Sequence, residues 1–391
     1  MMKQQKYSFL FVSAPFSGIE VFMRNVSQIN QNDFNIQSKW IWLDRKLNIF
    51  GLGGSIFNIM NWTVRASIFT YLRIRELERS GEIFSAAFFN HVTPFTFLFN
   101  FRKRVPSVLS LDSTPKLLDL YSNFYRYDLK YKLPEFILKI KYRFTQRAYE
   151  DAVFILAWSD VVKQSLIEDY LIPCEKIVVV PPGVDTERFT PVDRRTRDHK
   201  QSIKILFVGG EFIRKGGDVV LELAHEDKFK NHEFHFVTRT FKGKRGPNIF
   251  VYDNISPECD RLLSLYRDSD IFVLPTRGDF CPTNTICEAM ATGLPVISTS
   301  VGGLNEIVQD GKTGCIINVD EKTQLRKVIE ELSADREKRI RLGDNARELA
   351  EEKYDLKKNS EKIFLYMTLA AKGDQSDDVT KKHSGKKPIY G

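Results

Sequence analysis

The sequence predicts an α/β protein of two Rossmann-like domains, each a parallel sheet wound by helices. Three observations carry this. Short apolar runs such as Tyr7–Ser13, Ser107–Leu111, Ile203–Val208 and Ile271–Pro275 suit strands buried on both faces. They alternate with stretches of helical periodicity, which is the βαβ rhythm of a parallel sheet. The rhythm pauses over 182–201, a charged and proline-bearing stretch, and then restarts. At 391 residues the chain suits two domains of ordinary size. We place them at 1–185 and 186–371, with a polar tail, 372–391, too poor in apolar residues to join a core.

The elements follow in order. Tyr7–Ser13 is the first strand, and the loop after it delivers Gly18 to the start of a helix over Ile19–Gln28. Gly18 is either an ordinary turn glycine or a point where backbone must approach a ligand. Phe34–Leu43 alternates as a strand, with Trp40 and Trp42 on one face. A glycine-rich loop over 48–54 leads into a long helix, Ser55–Ser80. Ile83–Phe89 is a strand that delivers Asn90 and His91 to its carboxyl end, where parallel sheets bind ligands. His91 is a candidate ligand contact, though a lone histidine after a strand is more often a hydrogen-bonded structural residue. The strand Ser107–Leu111 exits into Asp112-Ser113-Thr114-Pro115. Asp112 suits a base or a sugar contact, whereas Asp112, Ser113 or Thr114 could each cap the helix that begins at Pro115. The stretch 126–150 interleaves lysines and arginines with apolar residues, so it is either a candidate contact for an anionic membrane or a solvated surface helix. Phe154–Ser159, a helix over Asp160–Tyr170 and Lys176–Pro181 complete the first half.

The second half opens with the strand Ile203–Val208 and the loop 209–217, with glycines at both ends and Arg214 and Lys215 at the mouth of the helix from Asp218. That is a plausible diphosphate cradle, built from backbone N–H groups, a helix dipole and two cations. Phe234–Thr238 and Ile249–Tyr252 are strands, and Pro257–Asp268 is a helix. Ile271–Pro275 leads into a loop with Asp279 at its centre; Pro282 and Thr283 then open a helix over Asn284–Ala291, stopped by Gly293. The amino end of that helix suits a phosphate held over Pro282, Thr283, Asn284 and Thr285. Glu288, one turn on, can accept from sugar hydroxyls. Leu294–Thr299 and Gly314–Val319 are strands, followed by helices over Glu321–Leu332, Arg336–Glu352 and Leu356–Ala371.

A net charge of +8 and a pI near 9.0 favour anionic partners without choosing among them. No zinc-finger, helix-turn-helix or RNP-like pattern points to nucleic acid. Five cysteines without a CxxC pair, and no nearby histidine at zinc spacing, read as reduced thiols of a cytoplasmic protein. The apolar run at the N-terminus is short for a signal peptide, and no run approaches the ~20 apolar residues that span a bilayer.

The string CEAMATGLPVISTSVGGLNEIV, residues 287–308, strongly resembles the donor-site signature of the retaining glycosyltransferases of family 4. The likeness is strong over 150–370 and loose before it. It implies the GT-B fold, two Rossmann-like domains facing each other across a cleft, with the last helix returning to the first domain. It implies transfer of a sugar from a nucleoside diphosphate sugar to a hydroxyl acceptor, a glycan, a lipid-linked glycan or a small molecule, as in polysaccharide biosynthesis. No metal or other cofactor is expected; the expected location is cytoplasmic, with 126–150 either a peripheral contact at the inner membrane face or a solvated helix.

In that family two acids bracket the loop with seven residues between them, the second holding the nucleotide ribose and the first the donor sugar. Glu288 matches the second. Strict counting places the first at Phe280, and the nearest acid is Asp279, so either a one-residue insertion restores Asp279 to the role or Phe280 fills the place. Lys215 matches a family cation on the donor diphosphate; the usual arginine falls on Gly210, and Arg214 is the substitute. Gly18 falls where a family glycine lets the backbone approach the donor phosphate and the acceptor, and Asp112 falls where many members carry a histidine beside the transferred sugar; His91 is a candidate acceptor or sugar contact from its place at a strand exit. Two other readings stay open at this point, a sugar-nucleotide epimerase on the same fold and a sugar-nucleotide-binding subunit without activity.

Overall fold

The computed structural model describes residues 7–15, 17–29, 36–44, 62–120, 135–196 and 202–373. The glycine-rich loop 48–54, the start of the helix expected from Ser55, the basic residues 126–134 and most of the tail lie outside the described residues. The chain divides into two compact units, one of 1–117, 130–180 and 360–391, the other of 118–129 and 181–359.

In the first unit the described strands form a six-stranded, wholly parallel sheet. They are β1 (Tyr7–Ser13), β2 (Ile36–Trp42), β3 (Ala86–Phe89), β4 (Ser107–Leu111), β5 (Phe154–Ala157) and β6 (Ile177–Val179), in the spatial order β2-β1-β3-β4-β5-β6. The helices are α1 (Ser17–Gln28), α2 (Trp62–Arg79), α3 (Val92–Phe95), α4 (Phe99–Arg104), α5 (Pro115–Leu120), α6 (Glu135–Asp151) and α7 (Asp160–Tyr170). The central strands are apolar because both faces are covered: Phe9 to Val12 and Ala86 to Phe89 are fully buried. β3 starts later than the alternation suggested, since Ile83 is 84% exposed beyond a turn at Gly81. Trp40 and Trp42 do share a face of β2, their rings stacked at 5.2 Å.

Strand order reverses between β1 and β3. There Asn90, buried, accepts from the Ala14 N–H (2.8 Å) and donates to Ser13 Oγ (3.2 Å), fixing the two strand exits side by side.

The second unit repeats the plan in the order β12-β11-β10-β7-β8-β9, again all parallel. Its strands are β7 (Lys204–Val208), β8 (Glu233–Val237), β9 (Ile249–Tyr252), β10 (Ile271–Leu274), β11 (Val296–Thr299) and β12 (Gly314–Ile317). Its helices are α8 (Gly217–Ala224), α9 (Asp260–Asp268), α10 (Asn284–Ala291), α11 (Leu304–Ile307), α12 (Lys322–Ala334) and α13 (Arg336–Lys353). From Ser360 on, the last helix, α14 (Leu356–Lys372), belongs to the first unit, where Phe364 meets Phe11 edge-on at 6.2 Å.

The reversal in this sheet falls between β7 and β10, so the loops leaving these two strands stand together at the switch point, where open parallel sheets take their ligands. α10 ends as its sequence dictates. Gly293 turns left-handed (φ 72°) and the Leu294 N–H returns to the Ala289 carbonyl (3.0 Å). Arg194 and Arg347 also cap its carboxyl end, donating to the Thr292 and Ala291 carbonyls at 2.7 Å each.

Candidate active site

The site in the second unit is assembled from the β7 and β10 exits. The β7 exit folds into a tight turn because Gly216 adopts φ 76°, with no room for a side chain: a Cβ there would stand 2.1 Å from the Pro275 carbonyl oxygen. That close approach brings Arg214 and Lys215 onto the β10 exit. Lys215 Nζ lies 2.8 Å from both carboxylate oxygens of Asp279, and Arg214 Nη1 lies 3.2 Å from Oδ1. Thr276 Oγ1 donates to Oδ2 at 2.7 Å. Asp279 is 8% exposed. Burial works to raise its carboxyl, but Lys215 and Arg214 outweigh that and hold it below the usual value. Lys215 in turn is lowered, by burial first, with Asp279 opposing and Arg214 adding to the effect. Arg214 also donates to the exposed Glu211, so two cations and two carboxylates meet here, with the Lys215–Asp279 pair as the largely buried centre.

Arg277 braces the cluster from behind. Its guanidinium spans Asp218 (2.8 and 2.9 Å) at the start of α8 and Asp320 (2.7 Å), and the Arg277 backbone N–H donates to the Arg214 carbonyl (2.9 Å). Nothing in the local sequence marked Arg277 for this. Gly302 closes the far side: it sits at φ 58°, and a Cβ would lie 2.0 Å from the Asp279 carbonyl oxygen. Gly302→Ala is expected to push the Asp279 loop off Lys215 and to cost at least about 2 kcal/mol of stability, from φ strain plus the clash. Denaturant melts of the variant check this, and a wild-type midpoint would mean that the loop yields freely.

α10 begins beside this cluster. Thr283 is its N-cap, its hydroxyl accepting from the Ile286 N–H at 3.3 Å. Pro282 is buried, and Asn284 and Thr285 are half-buried in the first turn. One turn on, Glu288 is 7% exposed. Tyr266 Oη donates to its Oε2 at 2.8 Å. Burial pushes the Glu288 carboxyl up to about 7, with Tyr266 and Arg188 pulling it back. Phe280 is 3% exposed, while the neighbouring Asp279 carries the carboxylate among the cations. Gly210 is exposed with open space around it, and Arg214 shares the Asp279 carboxylate with Lys215.

The first unit holds the other candidates. Gly18 lies in the first turn of α1, and a Cβ there would meet nothing within 4 Å, so packing within the unit does not demand glycine. His91 caps α3: its Nδ1 accepts from the Thr93 N–H at 3.1 Å. Burial lowers its imidazole, with Asp112 pulling it back up. Asp112 stands outside the cap of α5, because Thr114 Oγ1 accepts from the Leu117 N–H (3.3 Å) in its stead. Tyr149, which the sequence did not single out, is fully buried with a hydroxyl that has no hydrogen-bond partner among the described residues. The described part of the basic stretch is α6, whose surface shows Phe136 (64% exposed) and Ile140 (50%) beside Lys139 and Arg143.

Among the described residues no group of three or more His, Cys, Asp and Glu side chains could hold a metal ion. No helix among them is long and apolar enough to cross a membrane.

Residues 202–335 match the family described as Glycosyl transferases group 1, and residues 49–188 match Glycosyltransferase Family 4. The D-inositol 3-phosphate glycosyltransferase of Corynebacterium aurimucosum is 27% identical over 225 residues, 51% of this chain and 53% of that one. The chain thus spans about half the length of the curated relatives it matches. Among solved structures, the sucrose-phosphate synthase of Thermosynechococcus elongatus superposes with a TM-score of 0.72 at 14% identity, over 94% of this chain and 100% of that one. The Anabaena protein HepE in complex with UDP gives 0.65 at 13% identity, over 93% and 99%. At such identity these structures speak to the fold, and the fold and both halves of the sequence agree: the chain belongs to the group 1, family 4 glycosyltransferases and carries their GT-B fold.

Proposed function

We propose that the protein moves a sugar from a nucleoside diphosphate sugar to a hydroxyl acceptor, with retention at the anomeric carbon and without a resident metal. The observation that carries this reading is the Lys215–Arg214–Asp279 cluster at the switch point, beside the amino end of α10 and Glu288. Complexes of the structurally similar HepE hold UDP and UDP-glucose, which supports a nucleotide sugar as donor.

Asp279 is ion-paired with both cations. A diphosphate exchanges for that carboxylate, taking the positive charge and the N–H groups of α10, and leaves Asp279 to accept from a hydroxyl of the donor sugar. Lys215 and Arg214 then meet the negative charge that builds on the leaving diphosphate, in surroundings already organised for it. Glu288 holds the ribose, and Pro282 to Thr285 line the phosphate. On the first unit, Gly18, His91 and Asp112 are assigned to the donor phosphate and the acceptor, with Asp112 the candidate base. The apolar and basic surface of α6 is assigned to peripheral contact with an anionic membrane.

The test is a panel of UDP-, GDP- and ADP-sugars, ranked by the rise in melting temperature each produces. The best donor is then turned over and the anomeric proton of the product read by NMR. Retained configuration in a transferred or released sugar supports the reading. Inverted configuration, a changed sugar still attached to its nucleotide, or binding without turnover each contradicts it, the last two in favour of an epimerase or an inactive binder.

A further inference from the structure

We infer that Tyr266 is the positioning residue of the donor site: its hydroxyl holds Glu288 by one carboxylate oxygen and so presents the other to the nucleotide ribose as an ionised acceptor. The inference rests on the assignment of Glu288 to the ribose.

Three observations carry it. Tyr266 is fully buried, its ring held edge-on by Phe189 at 5.9 Å and tilted against Phe272 at 5.8 Å, so its position is set by the core. Its Oη lies 2.8 Å from Glu288 Oε2 and 3.3 Å from the Thr285 carbonyl oxygen, so the phenol bridges two points of the first turns of α10. Glu288 receives no other side-chain hydrogen bond among the described residues, which leaves Oε1 to a ligand.

A buried carboxylate with one donor is poised between its two protonation states, and only the ionised state accepts from two ribose hydroxyls. The groups that face it are few. Tyr266 comes from α9, Arg188 acts from the linker at longer range, and Cys287, its neighbour on α10, is a thiol that burial keeps protonated. The phenol is itself raised well above its usual value, by burial and then by Glu288, so it stays a donor across the range in which Glu288 titrates. Removing that donor moves the Glu288 carboxyl upward and frees its side chain to turn.

The experiment is a calorimetric titration of Tyr266→Phe, Glu288→Gln and wild type with UDP-, GDP- and ADP-glucose from pH 5.5 to 8.5. The diphosphate diester stays ionised over that range, so the probe does not titrate. Wild type is expected to bind its preferred probe more tightly as pH rises through about 7. Tyr266→Phe keeps the ring and should bind about tenfold more weakly at pH 7. Its affinity should rise at higher pH than that of wild type. Glu288→Gln should bind weakly with no such rise. If Glu288→Gln matches wild type at every pH, the ribose assignment itself fails. If Glu288→Gln loses affinity but Tyr266→Phe keeps the wild-type profile, the positioning role alone is overturned. A lower melting temperature in Tyr266→Phe with an unmoved pH midpoint would also overturn it, since that marks a packing residue.

Discussion

Lys215→Ala is expected to lower turnover by a hundredfold or more, the loss seen when a preorganised donor to developing negative charge is removed. The structure adds a second effect. Lys215 is one of two cations that neutralise the buried Asp279, so the truncation also leaves that carboxylate with only Arg214 and Thr276. Stability should fall by about 1–3 kcal/mol, less than for a fully orphaned buried charge because Arg214 remains. The sign with pH follows. Asp279 is held below its ordinary value, so the stability it contributes is present at neutral pH and is lost as pH falls through its native-state value. The gap in melting temperature between wild type and Lys215→Ala should therefore close in strong acid. Lys215→Ala combined with Asp279→Asn removes both charges and should regain stability while turnover stays low. If the double variant regains turnover as well, the lysine serves the fold and not the diphosphate.

Glu288→Gln is expected to weaken donor binding by about tenfold to a hundredfold while making the free protein more stable at pH 8. A carboxylate that accepts from two ribose hydroxyls makes charge-assisted bonds, and the amide replaces one acceptor with a donor. The gain in stability comes from burial. The Glu288 carboxyl is pushed up to about 7, so the native state binds its proton more tightly than the unfolded chain does. Its contribution to stability falls as pH rises from the ordinary carboxylate range through about 7 and is fully unfavourable above that. The amide avoids this cost, worth up to about 3 kcal/mol at pH 8 and nothing near pH 4. Thermal melts at both pH values read it directly. A uniform drop in melting temperature at both, with donor affinity intact, would make Glu288 a structural residue.

The strands, their parallel order and the loops that carry the site were legible because each depends on local pattern. Ile271 to Leu274 had to be a doubly buried strand, and Gly293 had to stop a helix, which it does with a left-handed backbone. What the sequence did not show is which side chains meet across the switch point. The spacing of Asp279 from Glu288 left its role open, and the ion pair with Lys215, 64 positions away in the chain, emerges only when β7 and β10 pair. The role of Arg277 and the close approach of Gly302, itself legible as a turn glycine, to the Asp279 carbonyl were hidden for the same reason, since their partners are distant in sequence. Tyr266 was within reach: a polar-tipped aromatic on the buried face of α9 must find a partner, and a buried Glu288 needs a donor. Thr114 shows the opposite case, where capping chemistry read from a short motif offers three candidates and the structure gives the duty to one of them.

The central claim is that the cluster around Lys215 is a diphosphate site shut by its own carboxylate. The most direct measurement is a crystal structure with the nucleoside diphosphate of the donor that stabilises the protein most. The account expects phosphate oxygens within hydrogen-bond reach of Lys215 Nζ and of the first turn of α10, Asp279 released from at least one of its cations, and a ribose hydroxyl on Glu288 Oε1. A nucleotide bound elsewhere, with the Asp279–Lys215 contact intact, would contradict it.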